Sequence, residues 1–356
     1  MPLVAHTDLP ALLRLREEGQ RILSPNFAIH QDIRELHIGL LNMMPDSALA
    51  ATERQFFRLV GACNQIVQFH VHPFTIEGLD RSLEAQTYIE QYYESFEKIK
   101  HDGLDALIIS GANITQPMLP QESFWDPLTE VFGWAKENVT STLCSCLATH
   151  ALIEYCHNIK RTPLGEKRWG VFPHRVVDRK HPLVADINTR FDVPHSRFNE
   201  LFSHDMEAAQ LKVLVESQRA GVHLAVSTDG FRVVFFQGHP EYDSISLLKE
   251  YKREVLRYFN AELQDYPPYP ENYFNTPAIE ILEAYKQQCM QARKDDREFP
   301  AFPEGSIIEQ LDITWRDTAK AVFNNWLGQI YQITHQDRSI PFMSHIDPND
   351  PLGLEL

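Results

Sequence analysis

Nine residues, Thr142-Leu143-Cys144-Ser145-Cys146-Leu147-Ala148-Thr149-His150, constrain this chain more than any other stretch. A β-type run from Val139 to Leu143 meets a helix-type run from Leu147 to Cys156 with no room for a loop. A strand that turns straight into a helix belongs to an alternating α/β architecture, with the turn at the carboxyl edge of a sheet. Cys146 stands on that turn with its sulfur expected to be exposed. It also faces the first amides of the helix, whose partial positive charge favours the thiolate.

The rest of the chain repeats the alternation. Leu36 to Met43 reads as a buried strand, Ala48 to Gly61 as a helix, Ile66 to His72 as a strand and Gln86 to Lys100 as an amphipathic helix. Leu104 to Ser110 reads as a strand and Leu128 to Glu137 as a helix. Short β runs follow at Val171 to Val177, Lys212 to Glu216, Val222 to Val226 and Phe231 to Phe236, then a helix from Ser244 to Asn260. The expected fold class is α/β, a doubly wound and mostly parallel sheet. Residues 36–262 read as the α/β catalytic domain and 1–35 as an N-terminal extension. Residues 263–356, with helices from Ile279 to Arg293 and Trp315 to Ile333, read as a C-terminal helical extension packed on that domain.

Composition excludes several roles. A hydrophobic content of 43% and a charged content of 23% over 356 residues are those of a soluble globular protein. A net charge of −16 argues against a nucleic-acid partner, which needs concentrated Lys and Arg. The first residues carry no signal-peptide pattern, and no apolar run approaches the roughly 20 residues that span a bilayer, so no membrane association is expected. Five cysteines, an odd and sparse set, suit reduced thiols in a cytoplasm.

Far downstream, Gly238-His239-Pro240-Glu241-Tyr242-Asp243 follows directly on the apolar run Phe231 to Phe236. A nucleophile (Cys146), a base (His239) and a carboxylate that orients the base (Glu241) make the triad logic of a covalent-intermediate enzyme. Cys144, last in its strand, is expected to point into the core. Cys144-x-Cys146 with His150 and Cys156 lacks a second Cys/His pair, so no metal is expected there. The amides of Ala112, after Gly111, and of Leu147 are candidates for an oxyanion hole. Arg253 offers a planar fork suited to a carboxylate. No glycine-rich phosphate loop is present.

With these residues the chain resembles the homoserine O-acyltransferase family. The resemblance rests on Leu41-Asn42-Met43-Met44-Pro45 with Thr52-Glu53, Ser110-Gly111-Ala112, and Ser141 to Cys146. It continues through Glu166-Lys167, Pro194-His195-Ser196-Arg197, Gly238 to Asp243, Asn275-Thr276-Pro277 and Asn325-Trp326-Leu327. It implies a fold similar to class I glutamine amidotransferases, a cysteine acyl-enzyme, and L-homoserine with succinyl-CoA or acetyl-CoA as substrates. Acyl-CoA is then a co-substrate, no cofactor is held permanently, and a homodimer is left open. By the same resemblance Cys146, His239 and Glu241 are catalytic, Lys167, Ser196 and Arg253 contact substrate, and Thr115 occupies the position tied to acyl-donor choice. Its small, uncharged side chain leans the donor toward succinyl-CoA. Two rival readings are a glutamine amidotransferase or related cysteine hydrolase, and a catalytically dead metabolite-binding protein.

Overall fold

A computed structural model describes residues 3–19, 22–28, 34–63 and 67–354. Its strands are β1 (Leu3–Val4), β2 (Ile22–Leu23), β3 (Glu35–Leu41), β4 (Gln68–Phe74), β5 (Ala106–Ile109) and β6 (Ser141–Ser145). They continue with β7 (Thr162–Val176), β8 (Arg190–Glu200), β9 (Lys212–Ser217), β10 (Gly221–Val226) and β11 (Val233–Phe236). All join one sheet in the order β2-β1-β4-β3-β5-β6-β11-β10-β9-β7-β8. Pairing is parallel from β2 to β11 and antiparallel from β11 to β8. The structure is therefore α/β with a doubly wound sheet whose parallel pairs dominate.

Residue chemistry sets this layout. Every residue of β5 and β6 is buried, as strands covered by helices on both faces must be. One core cluster contains Leu36, Ile38, Phe56, Phe57 and Phe69, and the helix Arg316–Ile333 enters it through Phe323, Trp326 and Ile330. Trp326 also donates its ring N–H to the Ser141 hydroxyl at 2.9 Å. A large aromatic buried this way is worth roughly 3–5 kcal/mol against alanine. A separate cluster joins Trp169, Tyr251, Tyr285 and Trp315, so the helix Thr276–Lys294 packs on the helix Ser246–Phe259.

Two elements depart from the sequence expectation. The helix expected from Gln86 to Lys100 is two helices, Leu83–Tyr92 and Phe96–Asp102. Ser95 caps the second by accepting the Lys98 amide at 3.2 Å, while Glu94 bridges to the end of β4 at Phe74. Tyr93, between them, places its hydroxyl 2.6 Å from Glu53. Strand β8 was not anticipated; it pairs along β7 as a long hairpin, with Trp169 opposite Ser196. The strand expected from Ile66 begins in the description at Gln68, and Ile66 lies outside the described residues.

Candidate active site

Cys146 has φ 52° and ψ −107°, in the left-handed half of backbone space where a side chain is strained. Such a conformation costs about 1–3 kcal/mol and persists only where its surroundings enforce it. The Cys146 amide donates to the Phe236 carbonyl at 2.8 Å, which ties the turn to the end of β11. The helix Leu147–His157 starts at the next residue, so the Leu147 amide belongs to the first-turn donors that lack an intrahelical partner. Gly111 closes the same corner. A Cβ there would lie 3.7 Å from the Cys146 Cβ and 3.9 Å from the Leu147 nitrogen. The Gly111-Ala112 backbone and the helix start thus flank the Cys146 side chain together.

Opposite stands His239. Its amide donates to Pro194 at 2.8 Å, and its ring hydrogen-bonds the Cys146 side chain. Nδ1 lies 2.8 Å from Glu241 Oε1; a carboxylate only accepts, so Nδ1 carries the proton and Nε2 is left for the sulfur. Burial alone would lower the pKa of His239, but the charges of Cys146 and Glu241 and the hydrogen bonds to both raise it well above the ordinary value. The Tyr242 ring stacks on the imidazole with centroids 4.3 Å apart. Gly238 is required because a Cβ would meet His195 Nε2 at 2.8 Å and Val193 at 2.6 Å. Asp243 anchors the motif by pairing with Arg54 at 2.8 Å and with Arg58.

A second polar group adjoins the first through Tyr242. Glu250, half-buried on the helix Ser246–Phe259, accepts from Lys167 Nζ at 2.9 Å, Ser196 Oγ at 2.6 Å and Tyr242 Oη at 2.9 Å. Burial would raise its pKa, but the Lys167 charge and these hydrogen bonds hold the carboxyl below its ordinary value. Lys167 and Ser196 are expected from the sequence; Glu250, the group on which both converge, is not. A carboxylate on an amphipathic helix, eight residues after Tyr242, was the available signal, and it is a weak one. Arg161 was missed as well. It precedes β7, half-buried, with its charge in electrostatic reach of Cys146 and Glu122.

Other candidates fall elsewhere. Arg253 lies on the same helix as Glu250, but its side chain is 62% exposed and pairs with Glu254 at 3.5 Å. It touches neither Glu250 nor His239 in this structure. Thr115 is exposed, and its hydroxyl donates to Glu122 at 3.0 Å instead of facing Cys146. Glu122 also takes the Thr115 and Gln116 amides, each at 2.7 Å, and so fixes that loop. Cys144 is fully buried and its thiol pKa is pushed well up by burial, which makes it a core residue. His150, also buried, bonds Gln237 at 3.1 Å. Asn42 and Glu53 are scaffold. Asn42 donates to Tyr93 Oη at 2.9 Å, and Tyr88 and Tyr93 both donate to Glu53.

The chain is similar to several known proteins. The family model described as homoserine O-succinyltransferase matches residues 2–336. The homoserine O-succinyltransferase of Methylobacter tundripaludum is 72% identical, covering 99% of this chain and all of that one (100%). That of Methylococcus capsulatus is 68% identical with the same coverage, 99% and 100%. Among solved structures, a glutamine amidotransferase from Methylobacillus flagellatus superposes with a TM-score of 0.43 at 10% identity, over 88% of this chain and 98% of that one. No helix among the described residues is long and apolar enough to cross a membrane.

Proposed function

The chain belongs to the homoserine O-succinyltransferase family and is an acyltransferase, and from that premise we propose a cysteine acyl-enzyme mechanism serving methionine biosynthesis. The donor is a coenzyme A thioester, succinyl-CoA in preference to acetyl-CoA, and the acceptor is the hydroxyl of L-homoserine. The reading rests on one observation above the rest. A cysteine held in a strained turn hydrogen-bonds a buried histidine that a carboxylate orients.

In the first half-reaction Cys146 Sγ attacks the thioester carbonyl, whose oxygen takes the negative charge beside the Ala112 and Leu147 amides. The carbon–sulfur bond to coenzyme A breaks, and the departing thiolate takes the proton from His239 Nε2. In the second, Nε2 removes the proton of the homoserine hydroxyl, the oxygen attacks the acyl-enzyme, and the bond to Cys146 breaks. Glu241 holds Nδ1–H throughout, so the ring presents the same nitrogen to both substrates. Exchange between two thioesters is nearly isoenergetic, whereas transfer to an alcohol runs downhill.

The acceptor pocket follows from charge. Lys167 and Glu250 offer a cation and an anion to the two ends of an amino acid, with Ser196 between them. Arg253 swings from its exposed rotamer to add a fork to the homoserine carboxylate. Arg161 supplies the positive charge for the distal carboxylate of a succinyl group, a role that Thr115, bound to Glu122, leaves to it. Five cysteines without a disulfide fit a reducing cytoplasm.

The test is intact mass measurement after incubation with succinyl-CoA or acetyl-CoA and no acceptor. Wild-type protein should gain one acyl group, faster from succinyl-CoA, and Cys146→Ala should gain none. Arg161→Met should lose the succinyl preference while still accepting acetyl groups. Acylation of folded Cys146→Ala, or glutamine hydrolysis with no acylation at all, would overturn the mechanism.

A further inference from the structure

The amino ends of β3 and β4 carry an imidazole cluster that the acyl transfer does not use. The two strands run parallel with Glu35 opposite Gln68, His37 opposite His70 and Gly39 opposite His72. Strand alternation therefore puts Glu35, His37, His70 and His72 on one face, while Leu36, Ile38, Phe69 and Val71 enter the core on the other. His6, just after β1, lies tilted over the same patch, its ring 5.2 Å from His70 and 4.7 Å from His72.

Hydrogen bonding fixes which ring nitrogens carry protons. Glu94 only accepts, so His72 Nδ1, at 2.8 Å, must be the donor. With that single proton on Nδ1, His72 Nε2 accepts from His37 Nδ1 across 2.9 Å. His37 Nε2 is thereby left with a lone pair. That lone pair faces Glu35 Oε2, a second acceptor, at 3.4 Å. His70 Nε2 lies 3.7 Å from the same oxygen, is buried and has no hydrogen-bond partner. All three donor atoms lie within 4.8 Å of one another. Two ring nitrogens and a carboxylate oxygen gathered at one point form a set suited to a cation.

We propose that Glu35, His37 and His70 bind one divalent transition-metal ion of the zinc class, at the edge of the sheet opposite Cys146. The spacing suits the ion. Tetrahedral zinc with bonds of about 2.0–2.2 Å requires ligand atoms roughly 3.3–3.5 Å apart, close to the separations above. Two imidazoles with one carboxylate are a borderline-soft set that selects zinc, cobalt or nickel over magnesium or calcium. His72 and Glu94 act as positioning residues, fixing the His37 tautomer from behind in a carboxylate–histidine–histidine relay. Glu35 is 40% exposed and opens the fourth position to solvent. The alternative triad, His6, His72 and Glu94, fits less well because the proton on His72 Nδ1 already occupies the gap to Glu94.

The experiment uses the full chain carrying Cys146→Ala, which removes the thiol that would compete for metal. After chelator stripping, zinc is titrated calorimetrically and cobalt is followed by visible absorption. One ion per chain is expected, with the cobalt spectrum of a tetrahedral nitrogen and oxygen site and no sulfur charge-transfer band. Glu94→Gln should weaken binding about tenfold through the relay alone, and the double variant His37→Gln, His70→Gln should abolish it with the circular dichroism unchanged. Absence of uptake, stoichiometry unaffected in the double variant, or loss of binding in His6→Ala equal to that in the double variant would overturn the proposal.

Discussion

Two sets of ionisable groups, buried or half-buried, sit around the same sheet and behave in opposite ways. In the set around Cys146, His239 faces Cys146 and Glu241, and Glu250 faces Lys167; each keeps its charge despite burial. In the scaffold set, His195 is equally buried, but its Nε2 meets only His174 Nε2 at 3.1 Å, and burial drives its pKa well down. Glu53, ringed by the hydroxyls of Tyr88 and Tyr93 with no cation, is raised by burial to about 7. Burial therefore does not decide whether a group is charged; the sign of the neighbour does.

The strongest way to break the contrast is Cys146→Ala. Transfer should vanish, and His239, stripped of its largest favourable partner, should titrate at lower pH by histidine NMR. An unchanged His239 titration would mean that Cys146 is not the partner holding its charge.

Next in size is Lys167→Met, which makes Glu250 resemble Glu53. Stability should fall by about 2–3 kcal/mol, somewhat less than the usual cost of orphaning a buried charge because Ser196 and Tyr242 still donate. The acceptor KM should rise while acylation by the donor alone proceeds normally. Equal defects in both half-reactions would remove Lys167 from the acceptor pocket.

The smallest effect sharpens the scaffold side. The folded pKa of Glu53, about 7, lies above its ordinary 4.5. Its contribution to stability is thus fully present below the unfolded pKa and lost as pH rises through the folded one. Between about pH 5 and pH 8 wild-type protein should lose on the order of 2–3 kcal/mol relative to Glu53→Gln, read from urea midpoints. Parallel pH profiles for the two proteins would refute the assignment.

Legibility in the chain followed the range of the interactions. Cys146 was readable because a strand, a turn and a helix are adjacent in sequence, and Glu241 because it is two residues from the ring it orients. Glu250 was not, since its partners arrive through the β7–β8 hairpin, and β8, with Pro194 and His195 at its middle, lacks clean alternation. The break at Tyr93 to Ser95 was hidden for a similar reason: a hydroxyl reaching Glu53 interrupts what periodicity alone would continue. The imidazoles at positions 37 and 70 meet only because β3 and β4 pair in parallel, a register no local pattern encodes. Thr115 shows the converse. A resemblance gave it a role, but its hydroxyl has a neighbour in Glu122 that only folding supplies.

The His239 loop is held from outside its own stretch of chain. Trp315 donates its ring N–H to the Tyr242 carbonyl at 2.9 Å, and the Tyr273 hydroxyl donates to the Ser244 carbonyl. During synthesis, therefore, Cys146 and His239 leave the ribosome well before the residues that fasten their loop. The nascent chain holds the Cys146 and His239 side chains without the clasp until the last quarter of the polypeptide folds back on their loop.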